Sequence, residues 1–205
     1  MGILAEPLEF VRGLPLRKGF HVCELGDQWI THTTPHILAR DYYEREMGCK
    51  RYVCIDGNGR SGALALDLNK PLPKNAGIGS FDLVTDFGTG EHVFNQAQVW
   101  MTVHYLCRPG GFIAFDRPTQ GYSANGGHCY YNTHMCLFTD LAAANEYEII
   151  KLEHATTTRG ELIRGVYRRP LKKNKFRMPQ QGRYKKLLRP IAPPVAPSAI
   201  TEAAE

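Results

Sequence analysis

Four carboxylates stand at or near the ends of short apolar runs. They are Glu24 in HVCELG (21–26), Asp56 in RYVCID (51–56), Asp67 in ALALDLN (63–69) and Asp86 in FDLVTDF (81–87). A carboxylate accepts from paired hydroxyls or from an amino group, and open α/β sheets bind ligands beyond the carboxyl ends of their strands. Four acids at four such ends, with glycines among them, describe a cleft for a ligand with ribose hydroxyls and an amino-bearing ring. Strand-end Asp residues also cap loops by bonding nearby backbone amides, and each acid taken alone reads that way more readily.

The loop after residue 56 carries a full G-x-G-x-x-G at Gly57, Gly59 and Gly62. A dinucleotide fingerprint needs a helix N-terminus directly after its glycines. Here ALALDLN and two prolines, Pro71 and Pro73, follow instead. The glycines therefore read as a tight loop between strand ends, and a nicotinamide-dependent oxidoreductase is excluded on their placement. On the acceptor side His92 is the best-placed general base, with Glu91 beside it. The alternative is that Thr89 and Glu91 open a helix and His92 lies on its first turn. The glycine-punctuated segment 117–136 offers Tyr122, Tyr130, Tyr131 and Asn132 to stack on and hydrogen-bond a sugar or base. His128, Cys129, His134 and Cys136 fall within nine residues there, but their spacing matches no common zinc pattern, so no metal is expected.

These residues need a scaffold, and the hydrophobic pattern supplies one. The runs 21–26, 51–56, 63–69, 81–87 and FIAFD (112–116) read as buried strands. Thr33-Thr34-Pro35 opens a helix over HILARDYYEREM, closed by Gly48. Val93, Ala97, Trp100, Met101 and His104 share one side of a helix predicted from Glu91 to Cys107. CLFTDLAAAN (136–145) reads as a helix, and 147–154 with 161–168 as paired strands. Strands alternating with helices predict an α/β architecture with a mostly parallel sheet, closed by a C-terminal antiparallel hairpin.

The chain has 205 residues, enough for about one domain, with 43% apolar and 22% charged residues. No apolar run reaches membrane-spanning length, and the first twenty residues lack the apolar segment of a secretory signal. The six cysteines form no framework spacing, which predicts reduced thiols in an intracellular setting. The net charge of +5 is unevenly placed: residues 168–205 hold ten Lys/Arg against two Glu, a net of +8, leaving −3 for the rest. That basic, then Pro/Ala-rich stretch reads as an extended tail. Its segment 168–189 suits a nucleic acid or an assembly partner, and equally an acidic protein surface or plain solvation.

The succession E-L-G, Y-V-C-I-D, L-D-L-N, F-D-L-V-T-D-F-G-T-G-E-H-V-F-N-Q and R-P-G-G-F-I-A-F resembles class I S-adenosylmethionine-dependent methyltransferases. It looks closest to a divergent bacterial and phage branch, over residues 20–168. The resemblance implies a Rossmann-like fold, with a 1–20 N-terminal extension, a 21–168 methyltransferase-like domain and a 169–205 tail. It implies S-adenosylmethionine as cofactor, with Glu24 and Gly26 bordering its methionine part. Asp56 would accept the ribose hydroxyls and Asp67 the adenine amino group, while Asp86, Phe87 and Gly88 form the floor toward the acceptor. The implied activity is methyl transfer to a polar acceptor, a sugar or nucleotide hydroxyl, in the cytoplasm or, for a phage protein, in a virion. The alternative is a catalytically silent methyltransferase fold, held as a structural module in a virion or nucleoprotein by its basic tail. Two departures stand out. Gln28 occupies the second glycine position of the family's acid-x-Gly-x-Gly, and only residues 57–62 separate the second and third predicted strands, where a parallel crossover needs a dozen or more.

Overall fold

The computed structural model describes residues 2–3, 5–73, 76–119, 129–157 and 160–180. In chain order it forms β1 (Gly2–Ile3), α1 (Ala5–Arg12), β2 (His21–Leu25), β3 (Trp29–Ile30) and β4 (Ile37–Leu38). The helical turn α2 (Ala39–Asp41) continues as a π-type turn over Tyr42–Glu46, and β5 (Arg51–Ile55) and β6 (Phe81–Phe87) follow. Then come α3 (Gln96–Leu106), β7 (Cys107–Pro118), α4 (Met135–Asn145), β8 (Glu148–Thr157) and β9 (Gly160–Arg168). Among the described residues no helix is long and apolar enough to cross a membrane.

The main sheet has the order β5-β2-β6-β7-β9-β8. Its first four strands run parallel, and β9 and β8 close it in antiparallel fashion. A small sheet of β1, β3 and β4 flanks it. Side chains alternate between two cores. Cys23, Leu25, Ile113 and Phe115 face α3 and α4, whereas Val22, Phe112 and Ala114 face α1 and the 39–47 region. Phe115 anchors the first core, stacked at 4.8 Å on Phe138 and edge-on at 5.3 Å to Trp100; such pairs contribute about 0.5–1.5 kcal/mol each beyond area burial.

The predicted third strand, 63–69, is a correction: it is loop. Leu64 makes one parallel bridge to Ile55, and the chain then leaves the sheet edge. A six-residue link is too short for a crossover helix, and Pro71 and Pro73 cannot donate to a ladder. The link instead turns tightly, with Gly59 and Gly62 both at positive φ around a 3₁₀ turn at Arg60–Gly62. The helix predicted over 36–47 loses its start, since Ile37 and Leu38 pair with β3, and the helical stretch runs over 39–46 as α2 and its π-type continuation.

Among the described residues, those before β2 pack on the sheet and those after β9 pack on the ends of α3 and α4. Ile3, Leu8 and Val11 belong to the second core. Beyond β9, Arg169 is 4% exposed and donates to the carbonyls of His104 at 2.7 Å and Cys107, which satisfies acceptors left open at the end of α3. Asn174 and Arg177 bond to Asn145 at the end of α4, and Phe176 lies edge-on to the His104 ring. His104 is held well below the usual imidazole range, at about 4, chiefly because burial disfavours its cation.

Candidate functional site

A cleft of about 240 Å³ opens beyond the carboxyl ends of β5 and β6. Asp56, Gly57 and the loop residues Leu66, Asp67 and Leu68 form one wall, and Thr89, His92 and Val93 form the other. The two walls are stitched together outside the cleft: Asn69 Oδ1 accepts from the Asn95 amide at 2.9 Å, and Asn95 Nδ2 donates to the Asn69 carbonyl. Asn95 also caps α3 by accepting from the Gln98 amide at 3.1 Å. α3 therefore starts at Gln96 and not at Glu91, and His92 lies in a 3₁₀ turn at Gly90–His92.

Of the predicted residues, Asp56, Asp67 and His92 meet in this cleft. Asp56 Oδ2 accepts from the Asp27 amide at 2.8 Å and Oδ1 from the Asn58 amide at 2.9 Å, which fixes the carboxylate and leaves lone pairs on both oxygens. Asp67 closes an Asx turn on Asn69, whose bonds, with Lys70 nearby, hold its carboxyl below the usual range. Loop-capping and cleft-lining are thus the same side chains.

The other predicted acids face inward. Glu24 is fully buried, accepting from the Tyr52 hydroxyl and from Thr85 Oγ1 at 3.3 Å. Burial pushes its carboxyl up to about 8 against the opposing pull of those two bonds. Asp86 Oδ1 accepts from the Gly90 amide at 2.9 Å, and its Oδ2 is ion-paired with Arg117. Glu91 pairs with the same guanidinium at 3.0 Å. One buried cation faces two buried carboxylates, so only one negative charge is matched, and desolvation carries Glu91 up to about 7 despite Arg117. Arg117 also lies over the Trp100 ring at 5.4 Å. This triad holds the 86–92 loop from beneath and so positions Thr89 and His92.

Phe87 is buried in the second core, and Gly88, at φ +90, turns the chain out of β6. Gly26 turns out of β2 at φ +93, and a β-carbon there would lie 2.0 Å from Thr89 Oγ1. On the acceptor side the Tyr130 amide donates to the Glu91 carbonyl at 3.2 Å and the Tyr131 hydroxyl to the Phe94 carbonyl at 2.9 Å. The rings of Phe94, Tyr130 and Tyr131 cluster at 6.1–6.4 Å, with Phe94 and Tyr130 largely exposed and Asn132 next to them in solvent. Tyr122 and His128 lie outside the described residues, and among those described no group of three His, Cys, Asp or Glu is arranged to hold a metal.

Three participants escape sequence reasoning. Phe94 follows His92 in an unpatterned loop, and Thr89 resembles an ordinary helix cap. Arg117 is a charge just past a buried strand, and its register opposite β6, Phe87 against Asp116, is what delivers it to Asp86.

No protein-family model matches the sequence, and no curated protein matches it. Solved structures do. The N-methyltransferase NodS from Bradyrhizobium japonicum WM9, in complex with S-adenosyl-L-homocysteine, is 16% identical, with a TM-score of 0.56 over 80% of this chain and 86% of that one. An S-adenosylmethionine-dependent methyltransferase from Mesorhizobium loti is 17% identical, again with a TM-score of 0.56, over 80% and 96% of the two chains. The [4+2]-cyclase SpnF is also similar, at 12% identity and a TM-score of 0.51 over 82% and 80%. With a parallel β5-β2-β6-β7 sheet closed by an antiparallel pair and a cleft at its carboxyl edge, the chain has the Rossmann-like fold of class I S-adenosylmethionine-dependent methyltransferases.

Proposed function

We propose that the protein binds S-adenosylmethionine and transfers its methyl group to a polar acceptor, a sugar or nucleotide hydroxyl. The observation that carries this reading is the meeting of Asp56, Asp67 and His92 in one cleft. Its wall of Leu66, Leu68 and Val93 suits an aromatic ring, and its two carboxylates suit ribose hydroxyls and an exocyclic amine. No Lys or Arg lines the cleft among the described residues, so the donor set fits a cationic sulfonium and disfavours a phosphate-bearing ligand. In this reading Asp56 holds the ribose hydroxyls and Asp67 the adenine amino group. Glu24 and Gly26 shape the methionine end, and Asp86, Phe87 and Gly88 form the floor.

The bound cofactor supplies an electrophilic methyl group, and the protein's own part is alignment and proton removal. With the cofactor bound, His92 would take the proton of the acceptor hydroxyl as the methyl group passes from sulfur to that oxygen, the sulfur–carbon bond breaking to leave a neutral thioether. Glu91, engaged with Arg117, fixes the turn that carries His92 and reaches no acceptor itself. Phe94, Tyr130 and Tyr131 offer an aromatic surface on which a sugar or base stacks, with Asn132 adding hydrogen bonds. Exposed Lys172, Lys173, Lys175 and Arg177 support a second contact, with nucleic acid or an acidic assembly surface through residues 168–189.

Titration calorimetry with S-adenosylmethionine and S-adenosylhomocysteine tests the cofactor. Micromolar binding is expected, and no heat at millimolar ligand would sink the proposal. A screen of nucleosides and sugars by mass spectrometry, scored for gain of one methylene, then tests the acceptor class.

A further inference from the structure

The cleft ends abruptly at Thr89, and none of Glu24, Gly26, Gln28 or Asp86 lines it. Gln28 closes that end. Its side chain is 1% exposed, and its Nε2 donates to Thr89 Oγ1 at 3.1 Å, bridging the loop after β2 to the loop after β6. The space above Gly26 is filled by this pair, since a β-carbon there would lie 2.0 Å from Thr89 Oγ1 and 2.6 Å from Gln28 Nε2. Gly26 thus makes room for the protein's own side chains. The closed arrangement is also imperfect: Gln28 Oε1 is buried and, among the described residues, has no hydrogen-bond partner. An unpaired buried acceptor is costly, which narrows the free-energy gap to a conformer with Gln28 swung out and its carboxamide hydrated.

We propose that Gln28 is a specificity-determining residue: latched to Thr89, it bars the space over Gly26, so that the cleft takes a nucleoside freely and admits one with an amino-acid chain only when Gln28 swings aside. This rests on the adenosyl reading of the cleft given above. Thr89 both lines the cleft and holds the latch, so occupancy and opening are coupled. A glycine at position 28 would leave Thr89 over Gly26 with no side chain from position 28 to hold it there.

The test compares two ligands on the full-length chain by titration calorimetry. One is 5′-methylthioadenosine, which lacks the amino-acid chain, and the other is S-adenosylhomocysteine, which has it. Gln28→Ala removes the latch, and Thr89→Val removes only its hydrogen bond while keeping the shape. Gln28→Ala is expected to tighten S-adenosylhomocysteine about tenfold, equivalent to about 1.4 kcal/mol, while 5′-methylthioadenosine stays within about twofold. Thr89→Val is expected to move the ratio of the two affinities in the same direction, and it reads the latch even if Gln28→Ala fails to fold. A ratio that is unchanged or shifted toward 5′-methylthioadenosine in the folded variants overturns the latch and leaves the cofactor reading standing. Failure of both ligands to bind any of the three proteins overturns the cofactor reading and the latch together.

Discussion

Replacing Glu24 by Gln should reshape how stability depends on pH. Glu24 is fully buried, and its carboxyl is pushed from an ordinary 4.5 to about 8, first by desolvation and only partly offset by the Tyr52 and Thr85 hydrogen bonds. The folded state therefore holds this proton more tightly than the unfolded chain does. Between those values the unfolded state has released the proton and the folded state has not, so stability falls as pH rises. Below 4.5 both states are protonated and the stabilisation is fully present; it is lost as pH climbs through about 8. With both protonation curves evaluated at pH 5.5 and 8.5, the wild type loses about 3 kcal/mol from this group alone, at 1.36 kcal/mol per pKa unit. Glu24→Gln keeps the size and hydrogen-bonding reach of the protonated acid but has nothing to titrate. Urea denaturation of both proteins at pH 5.5, 7 and 8.5 isolates the term, because every other titrating group cancels in the difference. The variant should gain on the wild type by about 3 kcal/mol across that range. Parallel stability curves, agreeing within about 0.5 kcal/mol, would show that Glu24 is ionised in the folded state and would refute the argument.

Three further outcomes follow from the same geometry. Asp56→Asn should weaken S-adenosylhomocysteine by about 10- to 100-fold in calorimetry, since the carboxylate that would take two hydroxyls becomes a group that must also donate. Arg117→Met should destabilise the protein by about 3–5 kcal/mol in thermal or urea unfolding, because it strands Asp86 and Glu91 in the interior; adding Asp86→Asn and Glu91→Gln should restore most of that loss. Arg169→Ala should cost about 2–3 kcal/mol by the same assay, as it frees two buried carbonyls at the end of α3.

The strands were legible wherever a short apolar run was bounded by turn residues, as at 21–25, 51–55, 81–87 and the hairpin 148–168. They failed to be legible where chain connectivity decided the outcome. ALALDLN has the apolar content of a strand, yet the length of the link before it leaves it only one bridge, at Leu64. HILARDYYEREM has helical spacing, but pairing of Ile37 and Leu38 with Trp29 and Ile30 captures its first turn, a tertiary contact overriding local preference. α1 was hidden for the opposite reason: AEPLEFVR is too short to show its period, and its apolar stripe is defined only by the sheet it covers. In the site, Asp56 and Asp67 could be placed because strand ends are predictable. Gln28 was visible as a departure from a glycine pattern, but that it reaches Thr89 depends on how two loops meet in space.

The four strand-end acids look equivalent as residues, and folding divides them by solvation. Asp56 and Asp67 sit on loops whose amides donate to them, which fixes both side chains at the cleft mouth with lone pairs to offer. Glu24 lies in mid-sheet beside Tyr52 and Thr85, where retaining a proton is cheaper than burying a charge. Asp86 keeps company with Glu91 around one guanidinium, and that pairing carries a functional consequence. The loop bearing Thr89 and His92 is fastened by the Gly90 amide to Asp86 and by Glu91 to the buried guanidinium of Arg117, which also pairs with Asp86 at the end of β6. A loop tied at both ends cannot adjust to its ligand by drifting as a whole. Any change of shape at this cleft must then come from side chains outside the triad, and Gln28, bonded to Thr89 but with its own oxygen unsatisfied, is the one least committed to where it stands.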